Sequence, residues 1–561
     1  FASPGAYRHI LAVTFTNKAT DEMKSRILQE LHALARGEKS DYRADLMKEF
    51  TLTENEVNQR AGKILIRILH DYSSFSISTI DKFFQQVVRS FAREIGISGG
   101  YNLELDTETT LQQAVENLYM DLSAKGNEQL LSWMTDFLKE QIEDGKSWRV
   151  DKEITNFGRE IFKENYQHKA EEISEKLHNK EFLKQYRKKL RLIISDFDKE
   201  VADEVGKALH AISSQGISGA DFSGKKLESN LLKISPKKDY DLSKNTTIAK
   251  FADDVENCWN KTAPTHIKEA IENAYNNGLG ESLRNITELL TRGIIPYNTA
   301  KIINKHLSTL GILSDLALQI KRLTNEQNIM LLADTNLLLN KIIDDSETPF
   351  VYERTGVNID HYMIDEFQDT SLLQWKNFKP LISNSLASGG KNMVVGDVKQ
   401  SIYRWRNSDW KLLDQQVNND FSSLQIKQNT LDVNWRSDKN IIHFNNSFFK
   451  HAAGKLQEKL NAGIGPAGIE NPNLEALKSK ISHAYSDIEQ HVSGNAESGH
   501  VQIQFVDKEG IKADWETAVL EKIPALLEEL VDRGFKPKDV AFLVRNNADA
   551  TTLINYLVTL I

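Results

Sequence analysis

The sequence predicts an α/β fold with a large helical insertion, and two kinds of pattern support this prediction. Short apolar runs that end in polar residues indicate buried parallel strands, and they occur at His9–Phe15, Phe75–Ile80, His361–Asp365 and Asn392–Val395. Helical patterns follow the first two runs, as in strand–loop–helix units. Between residues 107 and 343 strand patterns are absent, and apolar residues recur at three- and four-residue spacing.

The length of the chain, 561 residues, suits three or four domains of about 150 residues each. We predict a first α/β domain from residues 1–106 and 344–422, with residues 107–343 inserted as an all-helical segment. Residues 423–561 would begin a second α/β domain. Its predicted elements are strands at Val501–Val506 and Val540–Val544, helices at Lys439–Lys450 and Trp515–Val531, and a looped linker over 453–499.

Composition excludes several classes of protein. Hydrophobic residues make up 40% of the chain, which argues against a disordered or fibrous protein. The single cysteine, Cys258, excludes a disulfide framework and favours a reducing, cytoplasmic location. No apolar run approaches the ~18 residues of a membrane span, so no membrane partner is expected. The net charge of −9 argues mildly against non-specific nucleic-acid binding but is compatible with a local basic groove.

The octet IDEFQDTS, residues 364–371, is a very specific motif. A hydrophobic strand delivers Asp365 and Glu366 to the carboxyl edge of the sheet, where ligands bind in open α/β folds. Asp365 is placed to hold Mg²⁺ through its water shell, and Glu366 to orient or deprotonate an attacking water. An isolated Asp-Glu pair is more often a solvated surface feature, but the residues that follow this pair argue against that alternative.

A second motif, VVGDVKQSIYRWRNSD, covers residues 394–409. Gln400 follows a strand end and can hydrogen-bond a terminal phosphate or its water without adding charge. Tyr403, Trp405 and Arg406 interleave aromatic and cationic groups, which favours base stacking combined with phosphate contact. The alternative for Trp405 is a helix residue buried in the core.

Two further segments carry weaker signals. Arg436 precedes a predicted helix and could reach a γ-phosphate from a neighbouring domain, or could form an interdomain salt bridge. Phe15, Thr16 and Asn17 follow the first strand and offer an aromatic face, a hydroxyl and an amide to single-stranded nucleic acid. The alternative for these three residues is an ordinary strand–cap–helix junction.

In their order along the chain, these segments resemble the motifs of superfamily 1A helicases of the UvrD/Rep/PcrA and AddA/RecB group. The matching segments are TFTNKATDEM (motif Ia), FSISTIDKFF, IDEFQDTS (motif II), GDVKQSIYRWRNSD (motif III), LDVNWRSDKNI (motif IV) and DVAFLVRNNADATTLINYL. They span nearly the whole chain. The large insertion and the segment GDVKQSIYRWR resemble the AddA/RecB branch more than the compact repair helicases.

The resemblance implies two RecA-like P-loop NTPase motor domains, the first lacking its N-terminal part, with the insertion as domain 1B. It also implies an ATP- and Mg²⁺-dependent single-stranded DNA translocase and 3′-to-5′ DNA helicase in repair or recombination. The implied nucleotide-site residues are Asp365 on the metal, and Glu366, Gln400 and Arg436 in catalysis. The implied DNA-binding residues are Phe15, Thr16, Asn17, Thr79, Tyr403, Trp405 and Arg406. Expected partners are single-stranded and duplex DNA, together with a nuclease or a second helicase-like protein.

The sequence departs from the family pattern in several places. The phosphate-binding loop GxxxxGK[ST] is absent and is expected upstream of Phe1, and motifs V and VI are absent too. Without the loop the terminal phosphates lose their main cationic and amide partners, so we expect an internal fragment that does not hydrolyse ATP alone. Asp81 stands where the family usually has a histidine, and Asn407 where it usually has a glycine.

Two rival functions stay open at this point. One is an inactivated RecB-type protein that binds DNA as a scaffold without ATPase activity. Intact Asp365, Glu366, Gln400 and Arg436 argue against it. The other is an unrelated P-loop ATPase, such as a transporter or partition motor. That class would not need Trp405 between two arginines.

Overall fold

The computed structural model divides the chain into two compact units, Phe1–Ser422 and Ser423–Ile561. The residues that it describes are 3–90, 102–104, 106–143, 145, 150–235, 237–241, 246–345, 359–421, 426–464, 472–493, 498–506 and 515–559. None of the helices in these ranges combines the length and hydrophobicity that crossing a membrane requires.

The first unit contains a four-stranded parallel sheet. The strands of this unit are β1 (Ile10–Thr14), β2 (Ile77–Thr79), β3 (Asn102–Glu104), β4 (Ile329–Leu331), β5 (His361–Ile364) and β6 (Met393–Val394). The sheet order is β2-β1-β5-β6, and all its neighbours are parallel, so the four carboxyl ends lie at one edge. The predicted α/β fold is confirmed for this unit, with every strand shorter than predicted and β2 and β6 half the predicted length.

Successive residues of β1 point to opposite faces of the sheet, so its apolar side chains lie on both faces. Helices cover each face. Leu11 and Val13 pack in a core with Ile364 and Phe84. Ala12 packs in a second core, on the other side, whose further members include Leu31, Ile64 and Ile77. Strands buried on both faces are therefore apolar throughout, which explains the continuous apolar run in the sequence.

The helices of the first unit fall into three groups along the chain. Those before the insertion are α1 (Asn17–Ala35), α2 (Arg43–Glu49), α3 (Glu54–His70) and α4 (Ile80–Ser90). Those of the insertion are α5 (Thr107–Asp121), α6 (Glu128–Glu143), α7 (Asp151–Gly158), α8 (Glu164–His178), α9 (Lys180–Ser214), α10 (Leu227–Ile234), α11 (Thr246–Asp253), α12 (Thr265–Ala274), α13 (Gly280–Glu288), α14 (Ile294–Glu326) and α15 (Leu332–Asp345). Those after it are α16 (Leu372–Ala387) and α17 (Val417–Asp420).

The insertion is built around its two longest helices, α9 and α14. Leu183 and Leu190 of α9 pack in one hydrophobic core, and Phe197 and Val201 further along α9 pack in another. Gly311 lets α14 approach the first core closely, since a Cβ atom there would lie 2.4 Å from the Trp133 indole nitrogen. One long helix thus joins two cores into a continuous body.

The prediction that the insertion is entirely helical is wrong at one place. Residues 329–331 form β4, which pairs in parallel with β3 at residues 102–104. A three-residue apolar run cannot be distinguished from a helix segment by periodicity, and its partner lies far away in the sequence. The next helix, α15, contributes Leu339 to the core of the main sheet, so the end of the insertion packs with the α/β domain.

A carboxylate from the insertion binds the start of α16, the helix that follows the acidic octet. The Oγ of Ser371 donates a hydrogen bond to Glu164, and the amide of Leu373 donates another at 3.2 Å. Ser371 and Gln374 also form a capping box at this helix start. A negative charge is favourable at a helix N-terminus, and the cap adds partners for orphan amides. Burial raises the pKa of Glu164.

The second unit is mainly helical in its described residues. Its strands are β7 (Val433–Asn434) and β8 (His491–Val492), and its helices are α18 (Lys439–Ile464), α19 (Pro472–Leu477), α20 (Lys480–Ala484), α21 (Trp515–Leu520), α22 (Ile523–Asp532) and α23 (Asn547–Thr559). The two strands pair in parallel. Buried Gln457 joins α18 to the next helices by donating to the Leu477 carbonyl at 3.0 Å and accepting from the Ile481 amide at 2.8 Å.

Several predictions for this second unit are wrong. In place of the looped linker over 453–499, α18 continues through the first part of that segment and two short helices follow. Residues 501–506 and 540–544 do not form strands. Phe505 is 90% exposed and Leu543 is 99% exposed, so neither segment gains the burial and ladder hydrogen bonds that stabilise a strand. The predicted helix Trp515–Val531 forms as two helices, α21 and α22.

Asp334 on α15 gives a testable feature of this fold. The side-chain amide of Gln167 donates to Asp334 Oδ1 at 3.0 Å, and burial raises the pKa of Asp334 to about 6. The unfolded chain has a lower pKa, about 3.9, so the contribution of this carboxyl to stability is largest below pH ~4 and is lost as the pH rises to ~6.

We predict that Asp334→Asn removes this pH dependence. From pH 4 to pH 6.5, the unfolding free energy should fall by about 2–3 kcal/mol more in the wild type than in the variant. Denaturant titrations followed by tryptophan fluorescence measure the difference. Asp253→Asn, at an exposed position, is the control and should follow the wild type. Parallel pH profiles for wild type and Asp334→Asn would contradict the prediction.

Candidate functional site

The carboxyl edge of the four-stranded sheet collects the predicted site residues of the first unit. The amide of Asp365 donates to the Val13 carbonyl at 2.9 Å, and the amide of Val395 donates to the Ile364 carbonyl at 2.8 Å. These bonds extend the pairing of β1, β5 and β6 to the ends of the strands. The chain segments that leave the three strands are therefore neighbours, although β1 is hundreds of residues from the other two in sequence.

Glu366 adopts a left-handed backbone conformation, with φ +53° and ψ +41°. Such a conformation is uncommon for a residue other than glycine, and it often marks a functional turn. The Glu366 amide donates to Asp365 Oδ1 at 2.9 Å. The Gln368 side chain donates to Glu366 Oε2 at 2.6 Å. Both carboxylates of the acidic pair are thus held by hydrogen bonds within the turn.

Gln368 connects this acidic turn to the segment that follows β6. Besides its bond to Glu366, its side-chain oxygen accepts from the Asp397 amide at 3.0 Å, and its carbonyl accepts from Ser401 Oγ at 3.3 Å. Gln368 is almost fully buried, so these bonds are shielded from water. Gln368 is not among the site residues predicted from the sequence. Its place inside the octet IDEFQDTS was the available signal.

Gln400 lies in the turn after β6, beside Asp397. Its side chain is exposed and donates to Asp397 Oδ2 at 3.0 Å, while Lys399 Nζ lies 2.9 Å from Asp397 Oδ1. Partial burial alone would raise the pKa of Asp397, but the hydrogen bonds from Lys399 and Gln400 outweigh it and hold that pKa below its usual range. Gln400 is therefore oriented by a charged carboxylate and connected through Asp397 and Gln368 to Glu366.

The acidic edge is suited to a divalent cation. Burial, and secondarily the charge of Glu366, raise the pKa of Asp365, and the same two causes raise the pKa of Asp369 to about 6. Within the described part of the chain, Thr14 Oγ1 and Asp369 Oδ1 are buried without hydrogen-bond partners. A cation would favour the ionised carboxylates and give a partner to such oxygens. Mg²⁺ fits this donor set, because it commonly takes one or two carboxylates with waters and phosphates.

The aromatic and cationic residues of the two motifs form one cluster at this edge. The rings of Phe15 and Tyr403 lie 4.8 Å apart, and those of Tyr403 and Trp405 lie 6.1 Å apart. The guanidinium of Arg406 lies 4.8 Å from the Phe15 ring centre and 5.8 Å from that of Trp405. Trp405 is 71% exposed. The alternative of a core tryptophan is therefore wrong.

Asn407 ends the turn that carries these residues. Its φ is +69°, in the left-handed region. Glycine adopts this region without strain, and asparagine tolerates it better than most residues. The residue that departs from the family's glycine therefore preserves a glycine-like local turn.

Thr16 and Thr79 use their hydroxyls locally. Thr16 Oγ1 accepts from the Ala19 amide at 3.2 Å and caps α1, while Thr79 Oγ1 accepts from the Lys82 amide at 3.3 Å at the start of α4. Thr16 therefore forms the strand–cap–helix junction that was the alternative to a nucleic-acid contact. Thr16 and Asn17 remain exposed at the carboxyl edge.

Arg436 belongs to the second unit and is exposed there. Its amide donates to Asn434 Oδ1 at 2.9 Å, and the amide of Ser437 donates to the same oxygen at 2.9 Å. This turn fixes the backbone of Arg436 shortly before α18. The catalytic role of Arg436 stays a prediction.

A parallel sheet with paired carboxylates and an exposed cation–aromatic cluster at one edge is typical of nucleic-acid-dependent NTPases. Residues 4–422 match the family described as UvrD/REP helicase N-terminal domain. The chain belongs to this family, and the resemblance carried by its motifs is confirmed.

Individual relatives include large helicase–nuclease proteins. An ATP-dependent helicase/nuclease subunit from Lactococcus lactis subspecies cremoris is 24% identical over 97% of this chain and 44% of its own length. The protein of the same name in Clostridium beijerinckii is 25% identical over 89% of this chain and 39% of its own length. DNA helicase II of Haemophilus influenzae is 33% identical over 20% of this chain and 14% of its own. The matched region therefore covers less than half the length of each of these relatives.

The turn at Asn407 supplies a prediction about local structure. Asn407→Gly should leave stability nearly unchanged, whereas Asn407→Ala should lower the unfolding free energy by about 1 kcal/mol, because a Cβ without a compensating polar group is strained at positive φ. Thermal unfolding of the two variants measures this. Equal loss of stability in both variants would show that the asparagine side chain, and not its backbone, matters.

Proposed function

We propose that the chain is part of an ATP-driven single-stranded DNA translocase and 3′-to-5′ DNA helicase acting in repair or recombination. The direction of movement comes from the family resemblance alone. Residues 423–561 would be the start of a second RecA-like motor domain. The protein would act in the cytoplasm, with single-stranded and duplex DNA as partners. Two relatives are named as subunits of a helicase/nuclease, which favours a further partner. The family resemblance implies that this partner is a nuclease or a second helicase-like protein.

One observation carries the proposal. Acidic residues suited to ATP hydrolysis and an exposed cluster suited to a single strand occupy the same sheet edge. Buried Gln368 hydrogen-bonds Glu366 on one side and, on the other, Asp397 and Ser401 in the segment that leads to Tyr403 and Trp405. A motor must transmit the state of its nucleotide site to its track, and this arrangement provides a short physical connection.

The residues have distinct proposed roles in this mechanism. Asp365 would hold Mg²⁺, which neutralises charge on the phosphates when bound. Glu366 would orient and deprotonate the attacking water. Gln400 would bond the terminal phosphate or its water, and Arg436 would contribute its charge from the second unit.

The single-strand track would use stacking and charge together. Phe15, Tyr403 and Trp405 would stack on bases, and Arg406 would contact phosphate. Thr16, Asn17 and Thr79 would add polar contacts to the sugar–phosphate backbone. The overall acidic charge of the chain is no obstacle, because these groups are concentrated at one edge.

The competing function is a DNA-binding scaffold without ATPase activity. A full-length protein without the lysine of GxxxxGK[ST] would favour it, whereas intact Asp365, Glu366, Gln400 and Arg436 argue against it. We expect this chain alone to give no ATP turnover above background, with or without single-stranded DNA, because it lacks that loop. Phosphate release measures turnover. Robust DNA-stimulated release would contradict the expectation.

In a polypeptide of this sequence that also carries the phosphate-binding loop, Glu366→Gln should depress turnover and leave ATP and DNA binding intact. Such a loss supports the motor function. Retained turnover would remove Glu366 from the reaction. If the unsubstituted polypeptide also failed to hydrolyse ATP while binding DNA, the scaffold function would be favoured.

Trp405→Ala tests the DNA track in the chain as it is. Stacking contributes about 1–3 kcal/mol per base, so affinity for a fluorescent oligothymidylate should fall by roughly five- to 150-fold. Tyr72→Ala is the matched control. Tyr72 also carries a nearby lysine, with Lys24 Nζ 5.5 Å from its ring centre, but it precedes β2 and lies toward the opposite end of the strand. Equal affinities of Trp405→Ala and Tyr72→Ala for the oligothymidylate would contradict the proposal that Trp405 stacks on a base.

A further inference from the structure

Asp81 lies at the same carboxyl edge, two residues after the end of β2. Its side chain is mostly buried, with 30% of it exposed. One carboxylate oxygen accepts a hydrogen bond from the Gln374 side chain at 2.9 Å. The other lies 3.9 Å from Nη2 of Arg406. Asp81 thus stands between the helix that follows the acidic octet and the arginine of the aromatic cluster.

Gln374 gives Asp81 a rigid support. It is buried, its side-chain oxygen accepts from the Ser371 amide at 3.0 Å, and its own backbone amide donates to Ser371 Oγ at 3.2 Å. These bonds are the capping box of α16. The side chain that holds Asp81 is therefore fixed by the start of the helix directly after the octet, and the carboxylate has little freedom to move.

The Arg406 guanidinium contacts an aromatic ring and a carboxylate, and the rest of its surface is accessible to solvent. Its guanidinium lies over the Phe15 ring at 4.8 Å, and Asp81 attracts one of its edges. The distance of 3.9 Å to Asp81 is longer than a hydrogen bond, so this contact leaves the guanidinium N–H groups available. With 42% of the side chain exposed, those donors are accessible to a phosphate.

We propose that Asp81 is a positioning residue that orients Arg406 over Phe15 for single-strand binding. The inference rests on the proposed function and deepens it. An arginine side chain loses much rotamer freedom when it binds a ligand, and a fixed carboxylate together with an aromatic face removes part of that loss beforehand. Asp81 acts through Arg406 and does not itself contact DNA, since a carboxylate would repel phosphate.

The direction of the affinity change in Asp81→Asn separates this role from that of a simple counter-ion. A carboxylate that merely opposes Arg406 would compete with phosphate, so its neutralisation would tighten DNA binding. A positioning carboxylate predicts weaker binding, by roughly three- to tenfold for an oligothymidylate measured by fluorescence anisotropy. Glu108→Gln removes one negative charge from an exposed pair with Arg159 in the insertion and should bind like the wild type.

A double-mutant cycle excludes a general structural effect of the substitution. If Asp81 works through Arg406, then Asp81→Asn should cause no further loss in an Arg406→Ala background. Additive losses, unchanged affinity or tighter binding in Asp81→Asn would each overturn the inference. A wild-type chain that fails to bind the oligothymidylate would instead overturn the proposed function, and the inference with it.

Discussion

The parallel pairing of β1 with β5 is the interaction on which the rest of the first unit depends. It joins Ile10–Val13 to His361–Ile364, across the whole length of the insertion. Because both strands run the same way, the segments after Val13 and Ile364 emerge side by side. An antiparallel pairing would have placed the acidic turn and Phe15 at opposite ends of the sheet. Closing so long a loop has an entropic cost, which burial on both faces of the strands offsets.

Polar contacts between side chains then turn a shared edge into an organised site. Gln368 and Gln374 are both buried and both belong to the segment that begins at β5. The first bonds the acidic turn to the segment after β6, and the second bonds a helix start to Asp81. Neutral amides suit this task because each donates and accepts at once without adding charge. Buried networks of this kind favour a single arrangement when their members are satisfied.

The strands of the first unit's main sheet and the motif residues were predictable from the sequence, because apolar runs and the polar residues that follow them are local signals. The roles of Gln368, Gln374 and Asp81 were not predictable, since they depend on contacts between segments distant in sequence. The strands predicted at 501–506 and 540–544 failed for a related reason. An alternating or apolar pattern indicates which side chains a strand could bury. Whether the strand forms depends on neighbouring strands to which it can hydrogen-bond. Phe505 and Leu543 have no strand partners in the described part of the chain.

The bond between Glu164 and the start of α16 changes how the insertion is attached. A domain inserted into another is commonly joined only by the two chain segments that enter and leave it, and it can then swing as a tethered body. Here a half-buried carboxylate of the insertion also holds Ser371 and Leu373, at the end of the acidic octet and just after it. The insertion is therefore attached to the sheet domain at the start of α16 as well as through its chain connections and α15, so a displacement of Glu164 would act directly on Ser371 and Leu373.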